Sequence, residues 1–259
     1  AFALVGLFPI LFFLNRVFNN PPIGIYTMLI FAFTAIGLTR YIQGVPLGLS
    51  IDAFLVITLL GFFFKYFNVR IDFSQINRDI VYLLIIWLIF IILQLANPQA
   101  LSRTAWFYAM RGVALYSFLL VPIALFAFNR IRYMMGFLYL WGIFTILATL
   151  NGLKQQYIGL DFAEQFWIDT IGGVTHVIMG RLRIFSFFSD AGQFGAAQGA
   201  AGVVGILVAS TIRGNGRKLF FLTMGVMGIW GMFLSGTRGA MIVPMIGGVV
   251  YIILKKNIR

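Results

Sequence analysis

Apolar residues in this chain fall in long uninterrupted runs separated by polar connections. The runs cover approximately residues 1–14 (cut short), 21–39, 47–64, 80–96, 112–128, 133–150, 193–212, 219–235 and 239–254. Their lengths lie near the roughly 17 to 25 residues a helix needs to cross hydrocarbon. A lone strand leaves its backbone unpaired in lipid, so each run is predicted to be a helix. The period-two alternation with frequent turns that marks an outer-membrane barrel is missing. The pattern therefore predicts an all-α fold: a polytopic transmembrane helical bundle of about nine spans with a long periplasmic connection. Its parts are N-terminal transmembrane helices over 1–150, a periplasmic loop over 151–192 and C-terminal transmembrane helices over 193–259.

Composition sharpens this reading. The chain is 61% hydrophobic and 10% charged, where a soluble domain carries about 25% charged residues. Such a chain cannot fold in water without exposing apolar surface, so an integral membrane protein is expected. The net charge of +12 would suggest nucleic acid in a soluble protein. Here the bases sit in connections between apolar runs, so the expected partner is membrane lipid and not nucleic acid. The absence of cysteine excludes disulfides, thiolate chemistry and sulfur-ligated metal. Ala1 lies inside an apolar run and KKNIR follows directly on another. The chain reads as a fragment of a longer membrane protein, without a signal peptide.

Charge also gives an orientation. Counting connections from the start and including the tail, the odd ones hold twelve of the 19 basic residues and the even ones seven. The richer set belongs on the cytoplasmic side. The long connection 151–192 and the turn around Arg238 then share the outer face. That connection holds four of the seven acidic residues (Asp161, Glu164, Asp169, Asp190) and the single histidine, His176. Long ordered connections tend to be functional. Its first half, with Tyr157 and Trp167, has the mixed character of a segment lying along a membrane surface, and Gly172–Gly173 is predicted to break it.

Two stretches carry the candidate chemistry: GRLRIFSFFSDAGQFG over 180–195 and LSGTRGA over 234–240. Each sets arginine beside long apolar runs, where a fixed charge is costly without a negative partner. Arg238 is the one charge between Lys218 and Lys255. In one reading Arg183, with Arg181 beside it, and Arg238 face a common water-filled cavity and hold an anion such as a phosphate. Arginine suits that role because its planar fork donates parallel hydrogen bonds and stays charged. In the other reading Arg238 ends a helix and snorkels to the headgroups. His176 is a weak candidate for a general base or phosphate partner, set against a plain hydrogen-bonded residue. Asp190 either pairs with an arginine or caps the following helix. Asp52 opens the third run, in a helix-start role or, less simply, as part of an ion pathway. Arg103 and Arg111 either widen an outward positive field or anchor helix ends.

Other chemistries find no footing. Metal-ligand spacings are missing, as are a Walker loop and a G-x-S-x-G setting. No metal and no cofactor are expected. The run from Gly195 to Gly205 is rich in glycine and alanine, and Gly225, Gly228 and Gly231 repeat this in the next. These two helices are predicted to pack closely and to fix the two arginine stretches relative to each other.

The wording RIFSFFSDAGQFG, then a small-residue helix, then FLSGTRGAMIVPMIGG resembles the O-antigen ligase and polysaccharide polymerase family of bacterial inner-membrane proteins. The resemblance is strong over 175–254 and only architectural over 1–150. It implies a metal-independent glycosyltransferase of the bacterial inner membrane, active on the periplasmic face. Such an enzyme moves a glycan from an undecaprenyl diphosphate carrier to an acceptor: another glycan in polymerases, lipid A–core sugar in ligases. Carried over by position, Arg183, Arg181 and Arg238 would bind the donor diphosphate, with Asp190, Ser235 and Thr237 in support. The family's catalytic histidine belongs to a periplasmic loop beyond the SGTRGA motif. His176 lies upstream of both motifs and does not match it, so the fragment is expected to be inactive alone. Two other functions remain in view: a transporter or flippase of an anionic or lipid-linked saccharide, which needs polar broken helices near the bilayer midplane, and a structural scaffold.

Overall fold

The computed structural model describes residues 12–42, 47–67, 74, 76–99, 102–128 and 130–257. Most of the predicted first run, with Arg70 and Arg259, lies outside them. Among the described residues six helical segments are long and apolar enough to cross a membrane: Asp79–Ala96, Arg103–Ala127, Ile131–Tyr157, Ala191–Thr211, Asn215–Leu234 and Arg238–Lys255. They make this a membrane-embedded, mostly helical protein. Pro22–Leu38 is apolar but shorter, and Leu49–Tyr66 is a further helix.

In chain order the helices are α1 (Pro22–Leu38), α2 (Leu49–Tyr66), α3 (Asp79–Leu93), α4 (Arg103–Met110), α5 (Tyr116–Ala127), α6 (Ile131–Tyr157), α7 (Phe162–Trp167), α8 (Gly173–His176), α9 (Ala191–Thr211), α10 (Asn215–Leu234) and α11 (Ile242–Asn257). A π-turn, Arg111–Leu115, joins α4 to α5, another, Ile168–Gly172, joins α7 to α8, and a 3-10 turn, Arg238–Met241, leads into α11. Two short antiparallel strands, β1 (Val177–Ile178) and β2 (Arg181–Leu182), pair Val177 with Leu182 and Ile178 with Arg181.

The chain divides into two compact units, one of residues 1–28 and 52–136, the other of 29–51 and 137–259. In the first, Asp52 forms an ion pair with Arg111 and accepts a hydrogen bond from Tyr116 Oη at 2.5 Å. Arg111 thus neutralises a carboxylate beside it instead of adding to an open positive field. A partly buried pair of this kind satisfies charge that apolar surroundings would otherwise penalise.

The second unit is built around close helix contacts. A Cβ at Gly228 would sit 2.6 Å from the Gly202 nitrogen, and one at Gly205 would sit 2.6 Å from that of Gly225. The glycine faces of α9 and α10 therefore touch backbone to backbone, which only the absence of side chains allows. Thr149 Oγ1 donates to the Met227 carbonyl at 2.9 Å, and Gln198 Nε2 to that of Thr145 at 3.1 Å, tying α6 to this pair.

The connection after α6 differs from the sequence reading in two respects. The helix does not stop with the apolar run at 150 but continues to Tyr157. Its polar extension holds Asn151, Lys154 and Gln155, each hydrogen-bonded to residues of the connection itself. Nor do Gly172 and Gly173 break the following segment, which stays helical through them. A Cβ at Gly172 would lie 2.6 Å from the Trp167 ring, and one at Gly173 would lie 2.8 Å from the Ile168 carbonyl oxygen. The glycines are there for close packing, which composition alone cannot separate from chain breaking.

Candidate functional site

The two arginine stretches meet in the second unit. A cavity of about 910 Å3 is lined by Arg181, Leu182, Arg183 and Ile184 from the hairpin, by Leu234, Gly236, Thr237 and Arg238 from the turn after α10, and by Ile178, Gln155 and Gln156. Arg183 Nη2 donates to Thr237 Oγ1 at 2.6 Å, a direct link between residues 54 positions apart. Among the described residues none of Arg181, Arg183 and Arg238 belongs to an ion pair. Three fixed positive charges thus face one opening whose lining contains no carboxylate and no imidazole.

Local chain chemistry explains each placement. At the hairpin tip Met179 and Gly180 both have positive φ, 51° and 72°, the geometry that suits the twist of a two-residue hairpin turn. It returns the chain so that Arg181 and Arg183 follow each other on the second arm. The Arg183 N–H donates to the His176 carbonyl at 2.8 Å, holding that arm in register. On the other wall Ser235 is buried. Its Oγ donates to the Met232 carbonyl at 2.7 Å and accepts from the Thr237 N–H at 3.1 Å. Gly236 between them takes φ 62°, so the turn is tight and presents Thr237 and Arg238 together. Arg238 begins the 3-10 turn that leads into α11. A cation at the start of a helix faces the positive end of the dipole. A favourable interaction with the helix dipole therefore does not account for it.

Behind the cavity lies a polar clamp that the sequence reading did not foresee. Arg40 is only 6% exposed. Its guanidinium lies 4.6 Å from the Trp167 ring centre and 4.4 Å from that of Phe185. It donates to the Ser186 carbonyl at 2.7 Å and also to that of Phe188. Burial lowers its pKa to about 10, partly countered by Glu164, and it stays charged at neutral pH. Ser186, at φ 50°, donates its N–H to Gln155 Oε1 at 2.8 Å and its hydroxyl to the Ala148 carbonyl at 2.6 Å. Gln155 Nε2 in turn reaches Glu164 Oε1 at 2.8 Å. Lys154 bridges Asp161 and Glu164 at 2.8 and 2.7 Å. Asp161 and Glu164 form a reciprocal capping box at the start of α7. Partial burial alone would push the Asp161 carboxyl up, but hydrogen bonds from Lys154, Tyr41 and the Glu164 backbone hold it well below the usual carboxylate range. The clamp fixes the segment from Ile184 to Phe188, next to Arg183. One local signal accompanies it: Arg40 ends an apolar run with few nearby charges, as Arg238 also stands beside one.

The remaining candidates lie elsewhere. His176 is 2% exposed, in edge contact with Trp167 and Phe185, and does not line the cavity. Its Nδ1 lies 2.9 Å from the Gly172 carbonyl and 2.8 Å from Thr175 Oγ1. Burial lowers its pKa against the opposing effect of Gly172, and Arg40 lowers it further, so the ring is neutral and serves the packing of the hairpin. Asp190 is the N-cap of α9, accepting from the Gln193 N–H at 2.9 Å. Among the described residues no cluster of His, Asp or Glu could hold a metal ion. Compared with known proteins, the chain matches no family model, no curated protein and no solved structure.

Proposed function

We propose that this protein transfers a glycan from a polyprenyl diphosphate carrier, of the undecaprenyl type, to an acceptor sugar, in the manner of the O-antigen ligases and polysaccharide polymerases. The observation that carries this reading is the cavity with Arg181, Arg183 and Arg238, none of them ion-paired among the described residues. A diphosphate offers paired oxygens that match several guanidinium forks at once. During transfer the bond between the anomeric carbon and the diphosphate oxygen breaks as the acceptor oxygen forms its own bond to that carbon. The diphosphate leaves with added negative charge, and the acceptor loses a proton. Fixed arginines assist because they hold the leaving group more strongly as that charge grows. The lining offers no group of suitable basicity, so the proton goes to a base outside these residues. The fuller reading has about nine spans in a bacterial inner membrane, with the cavity on the periplasmic face.

The test is glycan transfer in membranes carrying the protein as it is encoded, comparing wild type with Arg238→Gln. Removal of one preorganised donor is expected to lower the rate by about 100-fold or more, with unchanged protein in the membrane. Undiminished transfer by the variant overturns the reading. Loss of lipid-linked saccharide movement across vesicles, with transfer unaffected, would assign the cavity to a transporter instead.

A further inference from the structure

The segment after α6 carries a second organised surface. Glu164, Ile168, Gly172 and His176 are all buried. They recur every fourth residue and form the inner face of α7, the π-turn and α8. An α-helix turns every 3.6 residues, so a four-residue pattern would drift around it. The wider π-turn at Ile168–Gly172 slows that rotation and keeps the inner face aligned. The same device aligns the opposite face, where Phe162, Phe166, Thr170 and Val174 follow one another at the same spacing. Phe162 is 88% exposed and Val174 93%. Thr170 is exposed and returns its hydroxyl to the Phe166 carbonyl at 2.7 Å. Ile171 flanks the stripe on one side, and the hydrogen-bonded pair Gln165–Asp169 on the other. At the far end the hairpin tip presents Met179, 97% exposed.

The stripe follows directly in the chain on an exposed apolar face of the preceding span. Along the second half of α6 Ile143, Leu147 and Leu150 are exposed, and Tyr157 and Ile158 carry that face out of the helix into the connection. Of the cations beside the segment, Lys154 is engaged by Asp161 and Glu164 and Arg40 by the clamp, while Arg181 follows the tip and lines the cavity, so the stripe itself offers apolar burial. The geometry points to one occupant: the stripe from Phe162 to Val174 and the Met179 tip are seated in the headgroup–acyl boundary of the leaflet where α6 ends, as an in-plane membrane segment. Ile178, beside that tip, lines the arginine cavity. The immersed tip therefore sets the cavity at headgroup level, where an anionic group on a lipid reaches it from the side. The seating rests on burial and continuity, and holds whatever ligand the cavity takes.

The chain has no cysteine, so single spin labels can be placed directly. Phe166→Cys, Val174→Cys and Met179→Cys are labelled in the protein reconstituted in phosphatidylcholine vesicles, after melting curves show folding equal to the parent. Ile143→Cys in the span and Asn215→Cys at the start of α10 serve as lipid and water references. All three labels are expected to collide with oxygen and to be shielded from a water-soluble nickel complex, as at Ile143, with a ratio several-fold above that at Asn215. Nickel accessibility equal to Asn215 would overturn the proposal in favour of a water-facing stripe. Exclusion of both reagents would overturn it in favour of a covering protein or second copy. Neither result bears on whether Arg238→Gln loses glycan transfer.

Discussion

Arg40 and Arg238 both stand at the ends of apolar helices, yet the structure uses them in opposite ways. Arg40 is enclosed by two aromatic rings and two carbonyls, close to a network that includes Glu164 and Asp161. Arg238 is exposed on a cavity, without an ion pair among the described residues. Arg111 takes the first course in the other unit, with Asp52 as its partner. An arginine whose donors are satisfied inside the protein contributes to architecture. One whose charge is left open keeps its field and donors available to something else. Counting partners separates the two roles where residue type and position along the chain do not.

The sharpest way to break that contrast is to exchange the consequences of mutation. Arg40→Met removes the donor to two carbonyls and leaves their oxygens without that partner. About 2–4 kcal/mol of stability is expected to disappear, read as loss of folded protein in thermal melts. Arg238→Met is expected to change the same melts by no more than about 0.5 kcal/mol. If the two variants melt alike, the division between clamp and cavity fails.

Next in size is ligand affinity. Arg183→Gln and Arg238→Gln should each weaken binding of a short-chain polyprenyl diphosphate to the reconstituted protein by roughly 10- to 100-fold, the equivalent of about 1.5–3 kcal/mol for a charge-assisted hydrogen bond. Titration calorimetry or a fluorescent analogue would read it. Unchanged affinity in both variants would leave the arginines without a role in anion binding. A smaller effect belongs to Asp190→Ala, which removes the N-cap of α9 and should lower stability by about 1 kcal/mol while leaving diphosphate affinity close to wild type. A large loss of affinity there would move Asp190 from the frame into the site.

The smallest effect expected is on pH response. His176 has a lowered pKa in the folded state, through burial first. Its contribution to stability is intact above the ordinary histidine value of about 6.5 and declines as pH falls below it, because the unfolded chain takes up the proton first. The depressed Asp161 carboxyl acts in the same direction, its contribution being lost only below about pH 4. Exchange of the Arg183 amide, which donates to the His176 carbonyl, should therefore lose protection between pH 7 and 5 once intrinsic rates are removed. Equal protection across that range would show that the buried imidazole does not hold the hairpin.

Much of the frame was legible along the chain. Long charge-free runs in lipid have one common solution, so six of the predicted spans coincide with six long apolar helices, and glycine spacing pointed to the close pairing of α9 and α10. Ser235, Thr237 and Arg238 could be marked as one stretch because they are neighbours in sequence. The clamp could not be. Arg40, Gln155 and Ser186 are separated by more than a hundred residues at the extremes, and nothing local to any one of them names its partner.

The amino-acid sequence by itself determined that the chain enters a membrane as helices, because apolar length and backbone hydrogen bonding are local properties of each run. It also put arginines where a bare charge needs an explanation. Only the tertiary structure decided which arginine is answered from within, by rings and carbonyls brought in from distant segments, and which ones still face open space. Charge compensation is a matter of distances in three dimensions, and spacing along the chain does not contain them.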